Sequence, residues 1–294
     1  MTRRHRGSIY LEEAQVLAHT AWPGEQHVLR LQAPKCAAHA APGSFVHLAC
    51  DPDVPMRRPL SIMRADTATG WIELLYKVVG PGLRALAARR PGETLSVLGP
   101  VGCGFVTHPA RPRPLLIGGG VGIPPMVFLA ERLQTCRGTA WQPLVLMGSE
   151  IPFPFGTSPS RLAVRGVPEN CTAGMALLEE WGVPSRLASR AGFPGCFEGT
   201  VTGLADAWLS ALLPAEREEV EVFACGPTPM LHAVARLARR HELPCQVSLE
   251  EFMACAVGGC AGCVVRVQTP DGPVMKRVCV DGPVFDATSV FRTG

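Results

Sequence analysis

The stretch Leu249–Cys279, LEEFMACAVGGCAGCVVRVQTPDGPVMKRVC, decides how the rest of the chain is read. Cys255, Cys260 and Cys263 share one glycine-rich loop, with four residues between the first two and two between the second pair. Cys279 follows after an apolar, strand-like run. C-x4-C-x2-C with a distant fourth cysteine is the spacing of plant-type [2Fe–2S] ligation: each of two irons takes two thiolates, so one tight loop must bring three sulfurs to a compact cluster. Gly258, Gly259 and Gly262 suit such a loop, because glycine lets backbone N–H groups approach the sulfurs, where they tune the potential. Other readings of the four cysteines stay open. Structural zinc also takes four thiolates, but usually as paired short-spaced knuckles, and only Cys260 and Cys263 form one. A disulfide has little motive without a secretion signal, and buried thiols need no ligand at all. The spacing favours the cluster.

The whole composition fits a folded protein. A chain of 294 residues has room for about two domains of ~150 residues or three small ones. Hydrophobic content of 47% against 18% charge argues against disorder. A mean hydropathy of +0.18 suggests apolar surface kept for a partner protein. A net charge of +3 is too small to make nucleic acid that partner. The basic start, Met1 to Tyr10, is followed by no apolar core of a signal peptide. The uncharged run PLLIGGGVGIPPMVFLA between Arg113 and Glu131 is broken by glycines and by Pro124 and Pro125, and falls short of the ~20 apolar residues of a membrane span. Twelve cysteines without a signal peptide point to a reducing, cytoplasmic setting. The eight outside the cluster motif are expected to be small buried hydrophobes.

Upstream of the cysteine loop the chain changes character twice. From Ile9 to about Gly104 it reads as short strands, VLRLQ, SFVHLAC, LSIMR, WIELLYKVV and TLSVLG, separated by Pro/Gly/Asp turns, which suggests a sandwich or barrel with one helix at Gly82–Arg90. Arg57-Arg58-Pro59-Leu60-Ser61 opens one strand. Paired arginines can hold a pyrophosphate through forked, charge-assisted hydrogen bonds, and a strand serine can donate to a flavin ring, although paired arginines also serve as a solvated edge. Leu75-Tyr76-Lys77 leads into Gly80-Pro81-Gly82, a turn that is either ordinary or an anion site at a helix N-terminus. After a Pro/Arg-rich linker at 109–114, Leu115-Leu116-Ile117 reads as a fully buried strand, Gly118–Pro125 as a glycine turn and Met126–Cys136 as a helix: the opening of a parallel α/β domain. The turn lacks the Gly-Lys-Ser/Thr of a P-loop. Pro125 stands where a full dinucleotide fingerprint has its third glycine, so tight helix packing competes with pyrophosphate binding as its purpose. Strands at 143–148, 184–189 and 221–226, with helices at 174–182, 203–213 and 228–241, continue the alternation of a doubly wound sheet. The turns Gly118–Pro125, Ser189–Ala191 and Cys225-Gly226-Pro227 then all fall at strand carboxyl ends, where such sheets bind ligands. The Pro/Phe/Ser-rich segment Ile151–Ser160 has no evident role.

Taken together, these motifs resemble the ferredoxin-reductase superfamily and, more narrowly, the electron-transfer subunits of class 1B dihydroorotate dehydrogenases. The resemblance is carried by RPLS at 58–61, YKVVGPG at 76–82, LGPVGCGF at 98–105, GGGVGIPP at 118–125, GTVTGL at 199–204, ACGPTPML at 224–231, and MACAVGGCAGCVV joined to VCVDGPVF at the end. It implies an antiparallel FAD-binding β-barrel over 1–108, a doubly wound parallel-sheet NAD(P)-binding α/β domain over 109–243 and a small [2Fe–2S] domain over 244–294. It further implies that Arg58, Pro59, Leu60 and Ser61 take the FAD pyrophosphate and ring, with Leu75, Tyr76, Lys77, Gly82 and Leu83 completing that site. Gly118, Gly119, Gly120, Gly122, Pro124, Cys225, Gly226 and Pro227 would face the nicotinamide nucleotide, and Cys255, Cys260, Cys263 and Cys279 would hold the metal. Leu83 departs from the family, which usually has a hydroxyl residue there. The family's acidic stretch after the third α/β strand is replaced by Ser189-Arg190-Ala191-Gly192.

The expected chemistry is a relay in which NAD(P)H exchanges hydride with FAD and electrons pass singly through the cluster to or from a partner flavoprotein, of the dihydroorotate dehydrogenase type, in a hetero-oligomer serving pyrimidine biosynthesis. Cofactors carry such chemistry while the protein orients them, and no catalytic triad is expected. Other readings are a stand-alone or differently partnered flavin reductase, such as a hydrogenase- or sulfite-reductase-type subunit, and a non-enzymatic iron–sulfur redox sensor. The family generally uses NADH, but Ser189 and Arg190, with Arg186 earlier on the strand, resemble the NADP-dependent branch. NADPH or dual use is one expectation, and a merely solvated Arg190 the other.

Overall fold

The computed structural model describes residues 8–136, 138 and 140–291, so the basic stretch Met1–Gly7 lies outside the described residues. Six antiparallel strands close a barrel: β1 (Tyr10–Trp22), β2 (Gln26–Gln32), β3 (Phe45–Leu48), β4 (Arg58–Asp66), β5 (Trp71–Lys77) and β6 (Thr94–Val101), in the order β1-β2-β5-β4-β3-β6. Strand β1 is absent from the sequence expectation for a physical reason. Only Ala14 and Val16 reach the core, so β1 shows little apolar alternation. It is fixed by its ladders instead, residues 10–15 pairing with β6 and 15–22 with β2. Helix α1 (Pro34–His39) packs Cys36 and Ala37 inward. Helix α2 (Gly80–Ala87) begins two residues before the sequence expectation and buries Leu83 and Leu86 in the barrel core.

The second layer is a seven-stranded sheet. Its strands are β7 (Arg113–Gly119), β8 (Leu144–Gly148), β11 (Ser185–Ser189), β12 (Phe197–Glu198), β13 (Val220–Cys225), β14 (Cys245–Ser248) and β17 (Val284–Asp286), ordered β12-β11-β8-β7-β13-β14-β17. A short separate ladder joins β9 (Thr157–Pro159) to β10 (Ala173–Met175). Helix α3 (Ile123–Thr135) covers one face, where Leu116, Val145 and Phe223 point. Helices α5 (Val201–Ser210) and α7 (Thr228–Arg240) cover the other, where Leu115, Ile117 and Leu146 point. Near-continuous apolar strands such as LLI and VFA are what burial on both faces demands. The shorter helices α4 (Ala176–Glu180) and α6 (Pro214–Glu218) fill connections. The sheet is doubly wound as expected, but mixed: β17 runs antiparallel beside β14.

Between β14 and β17 the chain leaves the sheet. Residues 249–283 hold the cysteine loop and a two-stranded hairpin of β15 (Val264–Thr269) and β16 (Gly272–Arg277). The last described helix, α8 (Ala287–Val290), follows β17 and is capped by the Asp286 carboxylate.

The barrel and the sheet share a core of Met63 and Leu75 with Leu116, Met126 and Phe153. Arg64 of β4 donates to Glu131 of α3 at 2.8 Å, and Gln26, almost wholly buried, donates to the Pro152 carbonyl at 2.7 Å. The segment Ile151–Ser160 thereby acquires a role: Phe153 and Phe155, 5.4 Å apart, are buried wedges that fasten the sheet to the barrel. No helix among the described residues is long and apolar enough to cross a membrane.

Candidate cofactor and electron-transfer site

The two arginines of the RRPLS motif separate in function as soon as their partners are traced. Arg57 donates to the Ser96 and His47 carbonyls at 2.7 and 3.2 Å and to Ser96 Oγ at 2.9 Å, so it is committed to bracing β3 and β6. Arg58 donates to the Met56 carbonyl at 2.7 Å and lays its guanidinium over the first turn of α2. A Cβ added to Gly82 would sit 2.8 Å from Arg58 Nη2. That turn has no side-chain cap, so its N–H groups are left to an outside acceptor beside a guanidinium. An arginine and a helix start distant in sequence thus lie side by side, a pairing whose chemistry suits an anion.

The neighbouring motif residues divide by face. Leu60 is in the barrel core, whereas Pro59 and Ser61 alternate to the outer face, half-buried, on the side that Met63 shares with the sheet. Leu75 also joins the shared core. Tyr76 does not: its hydroxyl shares a 2.8 Å hydrogen bond with His19 Nε2, its ring stacks on His27 at 5.2 Å, and burial pushes its phenol up. Lys77, the next residue, is half-buried. Leu83 is a barrel-core side chain, so what it can offer a phosphate is its backbone N–H.

At the sheet's carboxyl edge, β7 ends in a single tight turn, Gly120–Gly122, and α3 starts with Pro124 and Pro125 in its first turn. A Cβ on Gly122 would lie 2.4 Å from the backbone carbonyl of Cys225. The β7–α3 and β13–α7 turns are therefore in backbone contact, and only glycine permits it. A Cβ on Gly119 or on Gly226 would meet the Met230 thioether, while one on Gly120, at φ +54°, would meet nothing within 4 Å. Gly118–Pro124 and Cys225–Pro227 consequently line one crevice that is open above Gly120. Burial pushes the Cys225 thiol up, and nearby Glu250 adds to that. Glu250, which the sequence motifs do not mark as a coenzyme residue, is close enough to Cys225 to act on its thiol, and desolvation raises its own pKa.

The third turn behaves differently. Ser189 is buried, and its Oγ accepts from Ala191 N–H at 3.1 Å. Arg190 is at the edge, 67% exposed, with its Nε donating to Glu150 Oε1 at 3.0 Å. Arg186 is buried and donates to the Leu162 and Ser185 carbonyls, a structural task. Glu150 lies two residues beyond the end of β8, and its position after an apolar strand was the signal that could have singled it out.

The cysteine loop brings sulfurs and N–H groups together. Cys263 donates its S–H to the Cys279 sulfur across 3.3 Å, and Gly262 N–H points at the Cys260 sulfur at 3.4 Å. Burial alone would raise the Cys255 thiol, but N–H groups of Cys260, Val257 and Gly259 outweigh it and bring it down to about 7. Cys279, more buried and beside Cys263, is raised. Ala256 and Ala261 hold positive φ of 56° and 53°, the curl that aims the loop's N–H groups inward. Cys263 pairs with Cys279 and Cys255 with Cys260, while no three metal-binding side chains among the described residues are gathered closely enough to hold an ion. The chemistry of the donor set, four thiols with N–H donors beside them, is that of a thiolate-ligated iron–sulfur cluster. Cys245, by contrast, is a buried strand residue of β14. Cys263 and Cys279 pack with Met253 and Ala256 on Phe45 and Val101 of the barrel, and Phe45 is the cross-strand partner of Ser61.

A closed antiparallel barrel, a doubly wound sheet and a C-terminal segment with a three-cysteine loop and a fourth cysteine beyond its hairpin are the build of an iron–sulfur flavoprotein of the ferredoxin-reductase type. Known proteins agree. Residues 250–291 match the iron–sulfur cluster binding domain of dihydroorotate dehydrogenase B. The chain is 37% identical over 254 residues to the dihydroorotate dehydrogenase B (NAD(+)) electron transfer subunit of Bacillus caldolyticus, covering 85% of this chain and 86% of the relative. It is 30% identical over 282 residues to that of Desulforamulus reducens, covering 95% and 97%. In fold it is similar to the NADH-dependent reduced ferredoxin-NADP oxidoreductase, with a TM-score of 0.74 at 23% identity over 95% of this chain and 90% of that one. Phthalate dioxygenase reductase gives 0.54 at 16% identity over 91% and 76%. The chain belongs to the family of dihydroorotate dehydrogenase B electron-transfer subunits, and its role is that of an oxidoreductase subunit that moves electrons.

Proposed function

We propose that this chain exchanges electrons between a nicotinamide coenzyme and a catalytic flavoprotein partner that oxidises dihydroorotate, in a cytoplasmic hetero-oligomer serving pyrimidine synthesis. The observation that carries this reading is the packing of Cys263 and Cys279 on Phe45, whose strand partner Ser61 belongs to the flavin motif. Bound FAD supplies a site that accepts two electrons as hydride and releases them singly, and a [2Fe–2S] cluster carries single electrons. The residues do the rest. Arg58 and the α2 turn hold the pyrophosphate, Pro59 and Ser61 present the outer face of β4 to the flavin ring, and Leu75, Lys77 and the backbone at Leu83 border it. The turns Gly118–Pro124 and Cys225–Pro227 receive the coenzyme. The shared core around Met63, Leu75 and Phe153 keeps water out from below. Cys255, Cys260, Cys263 and Cys279 hold the cluster. In this reading 1–108, 109–243 and 244–294 are the flavin, nucleotide and cluster segments.

The partner docks beside the cluster loop. Phe252 is 95% exposed there, with Val257, Val264 and Met275 also exposed. A free-standing apolar side chain next to a redox centre suits an interface core. Phe252→Asp is expected to abolish co-elution with the catalytic subunit and dihydroorotate-driven NAD⁺ reduction, while NADH oxidation by a small dye stays at the wild-type rate. An aspartate variant that still couples to the partner normally would refute this docking surface.

A further inference from the structure

We infer that Glu150 reads the adenosine ribose of the coenzyme and, by holding Arg190, makes the site select NADH over NADPH. The inference rests on the proposed nicotinamide function and goes on to identify which coenzyme the site takes and what enforces the choice.

Placement comes first. β8 and β11 are adjacent parallel strands, with Ala188 opposite Gly148, so the residues just beyond them share the carboxyl edge of the sheet. The turn at Gly120–Gly122 follows β7, the next strand over, and is where a pyrophosphate meets a helix start. Beyond it on one side lie β13 and buried Cys225, against the barrel and the cluster segment. On the other side lie β8 and β11. A dinucleotide with its pyrophosphate at that turn and its nicotinamide toward the barrel extends its adenosine half over the ends of β8 and β11. Glu150 and Arg190 are the charged side chains that meet there.

Their chemistry decides the rest. A carboxylate at this place accepts hydrogen bonds from free ribose hydroxyls and repels a 2′-phosphate, whereas an unengaged arginine attracts one. Arg190 is engaged: its Nε donates to Glu150 Oε1 at 3.0 Å. Glu150 itself is held in place by its neighbours. Ser149 N–H donates to the Ala188 carbonyl across to β11, while Ser149 Oγ donates to the Ile151 carbonyl at 2.7 Å and accepts from Ile151 N–H. Ser189 is 1% exposed, with its Oγ accepting from Ala191 N–H, so its hydroxyl is turned away from a coenzyme lying over the strand ends. Glu150, 51% exposed, keeps its second carboxylate oxygen for a ribose. The acidic function missing after β11 is thus supplied from β8, and the arginine that suggests NADPH in the sequence is neutralised by it.

The test compares kcat/KM for NADH and NADPH, with a dye acceptor, in wild type, Glu150→Gln and Glu150→Gln/Arg190→Ala. Inhibition by AMP and by 2′-phospho-AMP supplies a readout of binding alone. Both side chains are exposed, so the variants should fold, and flavin content confirms it. Wild type should prefer NADH. Glu150→Gln should raise the NADPH/NADH ratio by about 10–100-fold and tighten 2′-phospho-AMP by a similar factor, from one unmasked charge-assisted contact. The double variant should lose that gain. A ratio that moves less than twofold in Glu150→Gln, or a wild type that prefers NADPH, overturns the inference while leaving the nicotinamide function intact. A wild type that oxidises neither coenzyme overturns both.

Discussion

Arg57 and Arg58 are neighbours of the same type, and only the resemblance of RPLS at 58–61 to a family motif ranks Arg58 first in the sequence. Their partners give the physical reason. Arg57 spends its donors on Ser96 and His47, whereas Arg58 faces Gly82 and the uncapped turn of α2. Losing a charge-assisted contact to phosphate costs about 1.5–3 kcal/mol, or roughly tenfold to more than a hundredfold in affinity. Arg58→Ala should therefore purify depleted of FAD, yet with its iron and its thermal stability as apoprotein retained. Gly82→Ala should do the same, because its Cβ displaces the guanidinium, a flexible group that can move without unfolding the barrel. Arg57→Ala should instead lower stability and keep FAD affinity once folded. Flavin-to-protein ratios with apoprotein melting curves check all three, and an Arg58→Ala protein saturated with FAD would overturn the role proposed for Arg58.

At the scale of elements, the glycine turns show what sequence can and cannot convey. GGGVGIPP marks a strand, a turn and a helix, and the structure has all three, with α3 starting at Ile123 rather than Met126 so that Pro124 and Pro125 fall in its first turn. The motif does not reveal that Gly122 rests on the Cys225 backbone, because that contact comes from a segment about a hundred residues away. Gly122→Ala should be costly for this reason: the clash is with main chain on both sides, so the two turns must part. Overpacking of this kind costs about 1–3 kcal/mol, and pulling the crevice open should weaken NADH binding as well. Denaturant unfolding and NADH titration of the variant measure both effects, and unchanged values would mean the turns are not rigidly joined. The same limit governed the strands. Apolar alternation exposed β2 to β6, but β1 carries apolar residues such as Leu11 and Leu17 on its exposed face as well, so no alternation marks it, and it is defined by partners on either side. β14 and β17 are short pieces flanking the cysteine loop, and only pairing places them in the sheet. Arg190 was legible as a charge at a strand end, but its restraint by Glu150 was not, since the pair spans forty positions.

At the scale of the whole molecule, the cluster segment is an excursion from the sheet that lands on the barrel. β14 and β17 anchor its ends, while Cys263, Cys279, Met253 and Ala256 share a core with Phe45 and Val101. The cysteine spacing made the cluster readable from sequence, because iron coordination constrains residues close in the chain. The docking of that loop against the flavin strand depends on side chains far apart in sequence, and only the fold brings them together. This arrangement makes one claim central: electrons delivered as hydride at the sheet's crevice must reach the cysteines through the barrel. Anaerobic titration of the purified holoprotein with NADH, followed by absorbance for the flavin and electron paramagnetic resonance for the cluster, tests it most directly. The wild type should bleach its flavin and develop the signal of a reduced [2Fe–2S] cluster, and Cys263→Ser should bleach the flavin without that signal. A wild-type flavin fully reduced by excess NADH beside a cluster that stays oxidised would contradict the relay.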